Sequence, residues 1–247
     1  MSEHKLVQDE FERTATKFAE RTKGRFDDSD VVAFSRARPG DSVLEVGSGT
    51  ANFLALFEDV AGQLIAVDLT HGMLRTAKTN HPGVLAVQGE GSRLPVASRS
   101  VDLVATAQVL HHIHHPVPVI KEMGRVAKDD GYVLVVDQVA SERLEEALVM
   151  NELELIRDPS HAISRPASAL RVVVGAAGLE IADERLWEGR NTFSQWMWPG
   201  EFPEERIERV RDFVERHGAD TGMDFRKEEG DDWSFCRRRL MLLAKRP

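Results

Sequence analysis

Two carboxylates and a pair of glycines make the first chemical pattern in this chain. Glu45 stands two residues ahead of Gly47 in the run Val43-Leu-Glu-Val-Gly-Ser-Gly-Thr-Ala-Asn-Phe53. Asp68 closes Ala66-Val-Asp68 about 20 residues later. Gly47 and Gly49 let the backbone turn sharply and approach a ligand, because neither carries a Cβ. An acidic residue at that distance is where a doubly wound sheet holds a ribose diol, so the pattern points to a nucleoside-containing cofactor. A dinucleotide would require G-x-G-x-x-G, with a helix N-terminus at its pyrophosphate. Here the third glycine position is Asn52, and Glu45 supplies negative charge that suits a cation better than a pyrophosphate.

Histidines form the second group: His111, His112, His114 and His115. His111 and His115 have the spacing of a helical metal pair, but Pro116 follows at once, so a turn is the expected structure and no metal site is expected. One of them, with His111 preferred, can serve as a base or touch substrate. Asp137 is read as solvated, capping or substrate-facing. Arg157-Asp-Pro-Ser-His161 either ends a helix or brings Arg157 and His161 into a pocket. Phe11 and Phe18 fall on one face of a helix, where packing is the ordinary role. Trp187, Trp196 and Trp198 are expected to be half core and half pocket wall, and an aromatic wall favours a flat or cationic acceptor.

The elements that must position these residues follow from hydrophobic spacing. A helix over 5–22 is expected, then strands at 42–46, 64–67, 84–87, 101–105 and 132–136. Helices are expected from Ala51, from Thr70 to Lys78 and over 117–127. Beyond them, Leu144, Leu148, Asn151 and Leu155 predict the apolar face of a helix. A helix near 166–177 ends at Gly178, and strands follow at 179–187 and 233–245. Strands spaced by helices imply a mostly parallel sheet, with Glu45, Asp68, Thr106 and Asp137 all at its C-terminal edge.

Composition bounds the rest. With 247 residues, 42% of them hydrophobic, the chain can form one domain with a full core. The lone Cys236 excludes a disulfide framework, leaves no cysteine cluster for zinc and fits a reducing cytoplasm. No apolar run is long enough for membrane insertion, and Met1-Ser-Glu-His-Lys is no signal peptide. A net charge of −9 makes nucleic acid a poor partner, and Arg237-Arg-Arg239 is the one concentrated basic block.

With Ala51 replacing the last glycine of E/D-x-G-x-G-x-G, the first motif resembles that of class I S-adenosylmethionine-dependent methyltransferases. Val87-Gln-Gly-Glu90-Gly91 with Leu94-Pro95, Ser100-Val-Asp102-Leu-Val, Leu110-His-His-Ile113, Glu122-Met-Gly-Arg125-Val126 and Asp130-Gly131 extend the likeness. Over roughly residues 40–138 they resemble, in order, the ubiquinone/menaquinone-biosynthesis-like (methyltransferase type 11) family. Arg157-Asp-Pro-Ser-His161 is similar to a bacterial subgroup of small-molecule methyltransferases. Departures are Ala51, regarded as harmless, Glu90-Gly91 for Asp-Ala, which would loosen the adenine wall, and Val101 for Phe.

The resemblance implies an α/β, Rossmann-like doubly wound sheet of seven strands, the last antiparallel. It implies S-adenosyl-L-methionine as cofactor and S-adenosyl-L-homocysteine as product. Carried over, Gly47, Ser48 and Gly49 would approach the methionine moiety, with Glu45 opposite its ammonium. Asp68 would take the ribose hydroxyls, Leu69 would cover adenine, and Glu90 and Gly91 would meet its edge. Thr106 and Gln108 would line the methyl side, and Phe11 and Phe18 become lid candidates. Residues 1–36 would form the helical lid, 37–140 the cofactor core and 141–247 the acceptor side, with a cap at about 188–230.

Asn/Asp-Pro-Pro-Tyr is absent at the end of strand four, as are an attacking cysteine and a magnesium-binding aspartate set. Metal-independent SN2 transfer to an O, N or C nucleophile of a small molecule is therefore expected. The alternative is a protein of this fold that binds the cofactor but catalyses a cyclisation or rearrangement; a pure binding module fits the intact cofactor rim less well.

Overall fold

Short runs of valine, leucine and alanine make buried parallel strands because both faces of such a strand are covered. In the computed structural model, which describes residues 3–26, 29–197, 202–230 and 232–247, β1 (Ser42–Val46), β2 (Gln63–Asp68), β3 (Leu85–Gln88), β4 (Val101–Ala107) and β5 (Ala127–Gln138) come first. They are followed by β6 (Glu180–Thr192), the two-residue β7 (Arg226–Lys227) and β8 (Trp233–Lys245). The sheet runs β3-β2-β1-β4-β5-β8-β6, with β7 paired to β8 off that path. β1 to β5 pair in parallel, and β8 runs antiparallel to both β5 and β6. The doubly wound sheet with its reversed last strand is thus as expected, and β7 is an addition. Chain order reverses between β1 and β4, which opens a crevice at their carboxyl ends.

Residues of β5 alternate between the two faces. Val133 and Val135 join a cluster with Ile120 and Met123 of α4 (Val117–Val126) and Leu170 of α6 (Ala167–Ala176). Leu134 and Val136 join the opposite cluster, with Phe34 of α2 (Val31–Ser35) and Leu74 of α3 (His71–Asn80). Helix α1 (Glu3–Thr22) packs beside α3. A third cluster gathers Met150 and Leu153 of α5 (Leu144–Arg157), Phe193 and Trp196 of α7 (Phe193–Met197), Val214 of α8 (Glu204–His217), and Phe235. Each such side chain contributes roughly 1.5–3 kcal/mol by leaving water.

Four local expectations are corrected. No α-helix starts at Ala51; only a 3-10 turn, Leu54–Phe57, follows β1. Ala51 has a φ of 63°, a left-handed conformation that interrupts any helix there. Thr70 precedes α3 but makes no side-chain cap; Asp68 Oδ1 accepts the Thr70 N–H instead, at 2.8 Å. The apolar face of α5 is turned the other way: Leu144, Leu148 and Leu155 are exposed, while Ala147, Met150, Leu153 and Glu154 are buried. Glu154 is drawn inward by two arginines, which sets the helix rotation. β6 runs on to Thr192, five residues past its expected end at Trp187, because it stays paired with β8 up to Ser234. Among the described residues no helix is long and apolar enough to cross a membrane.

Candidate functional site

At the carboxyl ends of β1, β2 and β4 lies a cavity of about 400 Å³. Its floor is the glycine turn. Gly47 and Ser48 donate their N–H groups to the Val67 carbonyl at 2.8 and 3.1 Å. Gly47 has a φ of 69°, and a Cβ there would meet Val109 Cγ2 at 2.6 Å, so neither strain nor space permits a side chain. Gly49 donates its N–H to Asp68 Oδ2 at 2.7 Å, tying the turn to the end of β2.

Glu45 and Asp68 share this cavity and are both buried. Burial, and then the neighbouring Asp68, raise the Glu45 carboxyl well above its ordinary range. Burial also raises Asp68, against the N–H groups of Thr70 and Gly49 that favour its charged form. Glu45 Oε2 has no hydrogen-bond partner, and the same is true of Ser48 Oγ, Thr50 Oγ1 and Gln108 Nε2 around the same space. Two buried carboxylates with unused acceptor capacity call for a cationic, hydrogen-bonding occupant. No helix N-terminus faces the turn, because only a 3-10 turn follows it. A sulfonium, an ammonium and a ribose diol fit this donor and acceptor set; a pyrophosphate does not.

The rest of the rim divides. Leu69, Glu90, Gly91 and Gln108 line the cavity. Gly91 is not loose: a Cβ would meet Val46 Cγ1 at 3.0 Å and Val119 Cγ1 at 3.3 Å, so these valines fill the space a larger residue would need. Thr106 does not line it. Its hydroxyl donates to the Val46 carbonyl at 2.9 Å and is buried between β1 and β4. Gln108 adopts a φ of 58°, a left-handed conformation found at few non-glycine positions, just past the end of β4.

A second cavity of about 470 Å³ adjoins the first, and Phe11, Phe18, Arg25, Gln108 and His112 line both. Phe11 meets Phe18 and His112 edge-on, with centroids 5.6 and 5.5 Å away. His111 and His112 lie in a 3-10 turn, Leu110–His112, clamped by Arg165, which donates to the carbonyls of Leu110, Ile113 and His114. His111 Nδ1 lies 2.6 Å from Asp137 Oδ1, and its backbone N–H also reaches that carboxylate at 3.2 Å. A carboxylate facing Nδ1 places the proton there and leaves Nε2 able to accept one. Asp137 is thus neither solvated nor substrate-facing. His112 faces the cavities, and its Nδ1 donates to the Ser160 carbonyl at 3.0 Å. Burial, then His111, lower its imidazole.

Arg157 and Trp196 line the second cavity, but His161 lines neither. His161 is buried, holds Asn151 Oδ1 at 2.9 Å through Nε2 and is pushed down to about 4 by burial. Trp196 is not free to stack on a cation: the guanidiniums of Arg157 and Arg237 already lie 5.0 and 5.9 Å from its ring. Trp187 is half-buried against the sheet core, and Trp198 lies outside the described residues. Among the described residues no group of three histidine, cysteine, aspartate or glutamate side chains could hold a metal.

Residues 44–135 match the family model described as a methyltransferase domain. The uncharacterized methyltransferase YcgJ of Bacillus subtilis (strain 168) is 26% identical over 221 residues, covering 86% of this chain and 87% of that protein. The chain thus carries a methyltransferase domain over residues 44–135. A demethylmenaquinone methyltransferase of Renibacterium salmoninarum is 32% identical over 107 residues, but the match spans only 45% of that relative. Among solved structures, a Bacillus halodurans C-125 protein superposes with a TM-score of 0.80 at 23% identity, over 89% of this chain and 98% of that one. At this identity the likeness speaks for the fold.

Two kinds of cavity-lining residue carry no motif. Val109, Met73 and Asn52 line the first cavity but carry no motif signal. Asn52 was noticed only as a missing glycine, yet its amide donates to the Ala19 carbonyl and Thr22 Oγ1, fastening α1 over the turn. The second cavity's Arg190, Arg237 and Arg239 come from β6 and β8. For Arg237 and Arg239 the one sequence signal is the basic block near the C-terminal end, which bears on nucleic acid as readily as on a small anion; Arg190 carries none.

Proposed function

We propose that this methyltransferase transfers a methyl group from S-adenosylmethionine to a small molecule held in the second cavity. The observation that carries the reading is the pair of buried carboxylates, one with an unpartnered oxygen, beside a glycine turn without a helix N-terminus. Gly47, Ser48 and Gly49 would lie along the methionine moiety, with Glu45 facing its ammonium. Asp68 keeps lone pairs beyond those given to Gly49 and Thr70, and these would accept both ribose hydroxyls. Leu69 would cover adenine, and Glu90 and Gly91 would border its edge. When bound, the cofactor supplies a methyl group on a sulfonium, so no metal is needed to create a leaving group.

The chain's own residues would align and shield. Phe11 and Phe18, with His112 and Gln108, form the passage between the cavities and would keep water from it. His111, braced by Asp137, would take the acceptor's proton on Nε2 where the nucleophile carries one. His161 and Arg157 would shape the acceptor side without touching the reacting atoms. A reducing compartment suits the lone Cys236.

Titration calorimetry with S-adenosylhomocysteine tests the reading: micromolar-range binding is expected, and none would end it. Incubation with methyl-labelled cofactor and candidate acceptors then separates transfer from a cyclisation or rearrangement that uses the cofactor only as a bound charge. Label in the product decides for transfer. Replacing His111 by Gln should lower kcat about 100-fold or more for an acceptor that must lose a proton, whereas His112→Gln should lower it far less.

A further inference from the structure

In an extended strand, residues two apart share a face. Along β8 this separates the basic block: Arg238 pairs in the open with Glu188 at 2.8 Å, while Arg237 and Arg239 line the second cavity. Arg25, Arg157 and Arg190 join them, against a single lining carboxylate, Asp158. Behind the wall Glu154, wholly buried, is shared by Arg157 at 2.8 Å and Arg237 at 3.0 Å, and Asp224 pairs with Arg190. Even with those two counted and Arg25 set aside, four guanidiniums face three carboxylates among the described residues.

Arg239 holds the surplus. It makes no ion pair among the described residues, and its buried Nε has no hydrogen-bond partner. Burial, then Arg237, lower it to about 10, the cost of a cation kept out of water beside another cation. Opposite on β6, Gly189 pairs with Arg237, and a Cβ there would meet Arg239 Nη1 at 3.5 Å. Trp196 Nε1, another buried donor on this wall, is also unpartnered.

We propose that the acceptor is an anion, whose carboxylate or phosphate is gripped by Arg239 and Arg237 at the end remote from the atom that receives the methyl group. The proposal rests on reading the second cavity as the acceptor site. It replaces the cationic acceptor that the tryptophans suggested, since the chain's own guanidiniums cover Trp196. A planar guanidinium fork matches either oxyanion in bidentate fashion, so the two remain to be told apart by affinity.

The test is titration calorimetry on the full chain, with and without saturating S-adenosylhomocysteine, using benzoate, phenyl phosphate and neutral benzamide as probes. At least one anion should bind about tenfold or more tighter than benzamide, a preference worth a charge-assisted bond. The tighter of the two names the group. Arg239→Gln should erase the preference, keep S-adenosylhomocysteine affinity within about twofold, and unfold at the same or a higher temperature, since it relieves an unpaired buried charge. Arg239→Lys, which keeps charge without the fork, should lose part of the preference. Equal binding of all three probes by the unaltered protein, or a preference retained in both variants, overturns the proposal. If S-adenosylhomocysteine fails to bind while an anion does, the cofactor reading fails and the anion site stands.

Discussion

The buried walls of the two cavities carry opposite charges, and each leaves a different kind of group wanting a partner. On the cofactor side the buried ionisable groups facing the glycine turn are the carboxylates Glu45 and Asp68. On the far side they are guanidiniums, two of them held by Glu154, and Arg239 has no ion pair among the described residues. The two cavities meet at Phe11, Phe18, Arg25, Gln108 and His112, so the buried carboxylates and the guanidiniums lie on either side of a largely aromatic passage. A ligand cation and a ligand anion on either side would each complete a wall that the fold leaves incomplete.

The contrast is broken most strongly at Glu154. Glu154→Gln leaves Arg157 and Arg237 buried without a counter-charge, and a loss of about 3–5 kcal/mol is expected in urea unfolding. A loss well under about 1 kcal/mol would mean that the guanidiniums are solvated after all. Burial opposes ionisation of Glu154, but Arg157 and Arg237 hold it below its ordinary 4.5. Its contribution is therefore full above that pH and disappears as pH falls through the lower, folded value.

On the other wall, Asp68→Ala should weaken S-adenosylhomocysteine binding about 100-fold, the scale of two charged hydrogen bonds. Unchanged affinity would remove the ribose assignment.

A smaller effect comes from the histidines behind the passage. His161 sits near 4 in the fold against an ordinary 6.5, so it stays neutral while the unfolded chain takes up a proton. Stability is full above 6.5 and should fall by up to about 1.4 kcal/mol per pH unit towards 4. His112, also lowered, adds to the slope. Urea midpoints across this window should flatten in His161→Gln, and an unaltered slope would discount the buried neutral imidazole.

The smallest change is at the turn itself. Ala51 is buried at a φ of 63°, which costs an L-residue roughly 1–2 kcal/mol, so this departure from glycine is not harmless. Its methyl packs in the core cluster with Phe53 and Phe57. Ala51→Gly should be neutral or stabilising by up to about 1 kcal/mol in thermal unfolding. A clear loss would show that the methyl's packing outweighs the strain.

The cofactor wall was largely legible because its residues are local. Gly47, Gly49 and Glu45 lie within five positions, and Asp68 ends the next strand, so strand order alone brings them together. Thr106 was misread at the same edge because the alternation of β4 turns its hydroxyl towards the Val46 carbonyl. On α5 the leucine spacing pointed to one face, yet Glu154 and its arginines turned the other one inward. Helical periodicity counts apolar residues and does not register a buried ion pair.

By itself the sequence determined the parallel core, the reversed last strand and the glycine turn with its two carboxylates, since these follow from strand periodicity and contiguous motifs. Only the tertiary structure decided the second cavity. Arg25, Arg157, Arg190, Arg237 and Arg239 come from four separate stretches of chain. Their convergence depends on β8 lying between β5 and β6, and on which face of that strand each guanidinium takes. A net-acidic chain can thus hold a basic pocket, because charge acts through distance in space and not along the sequence.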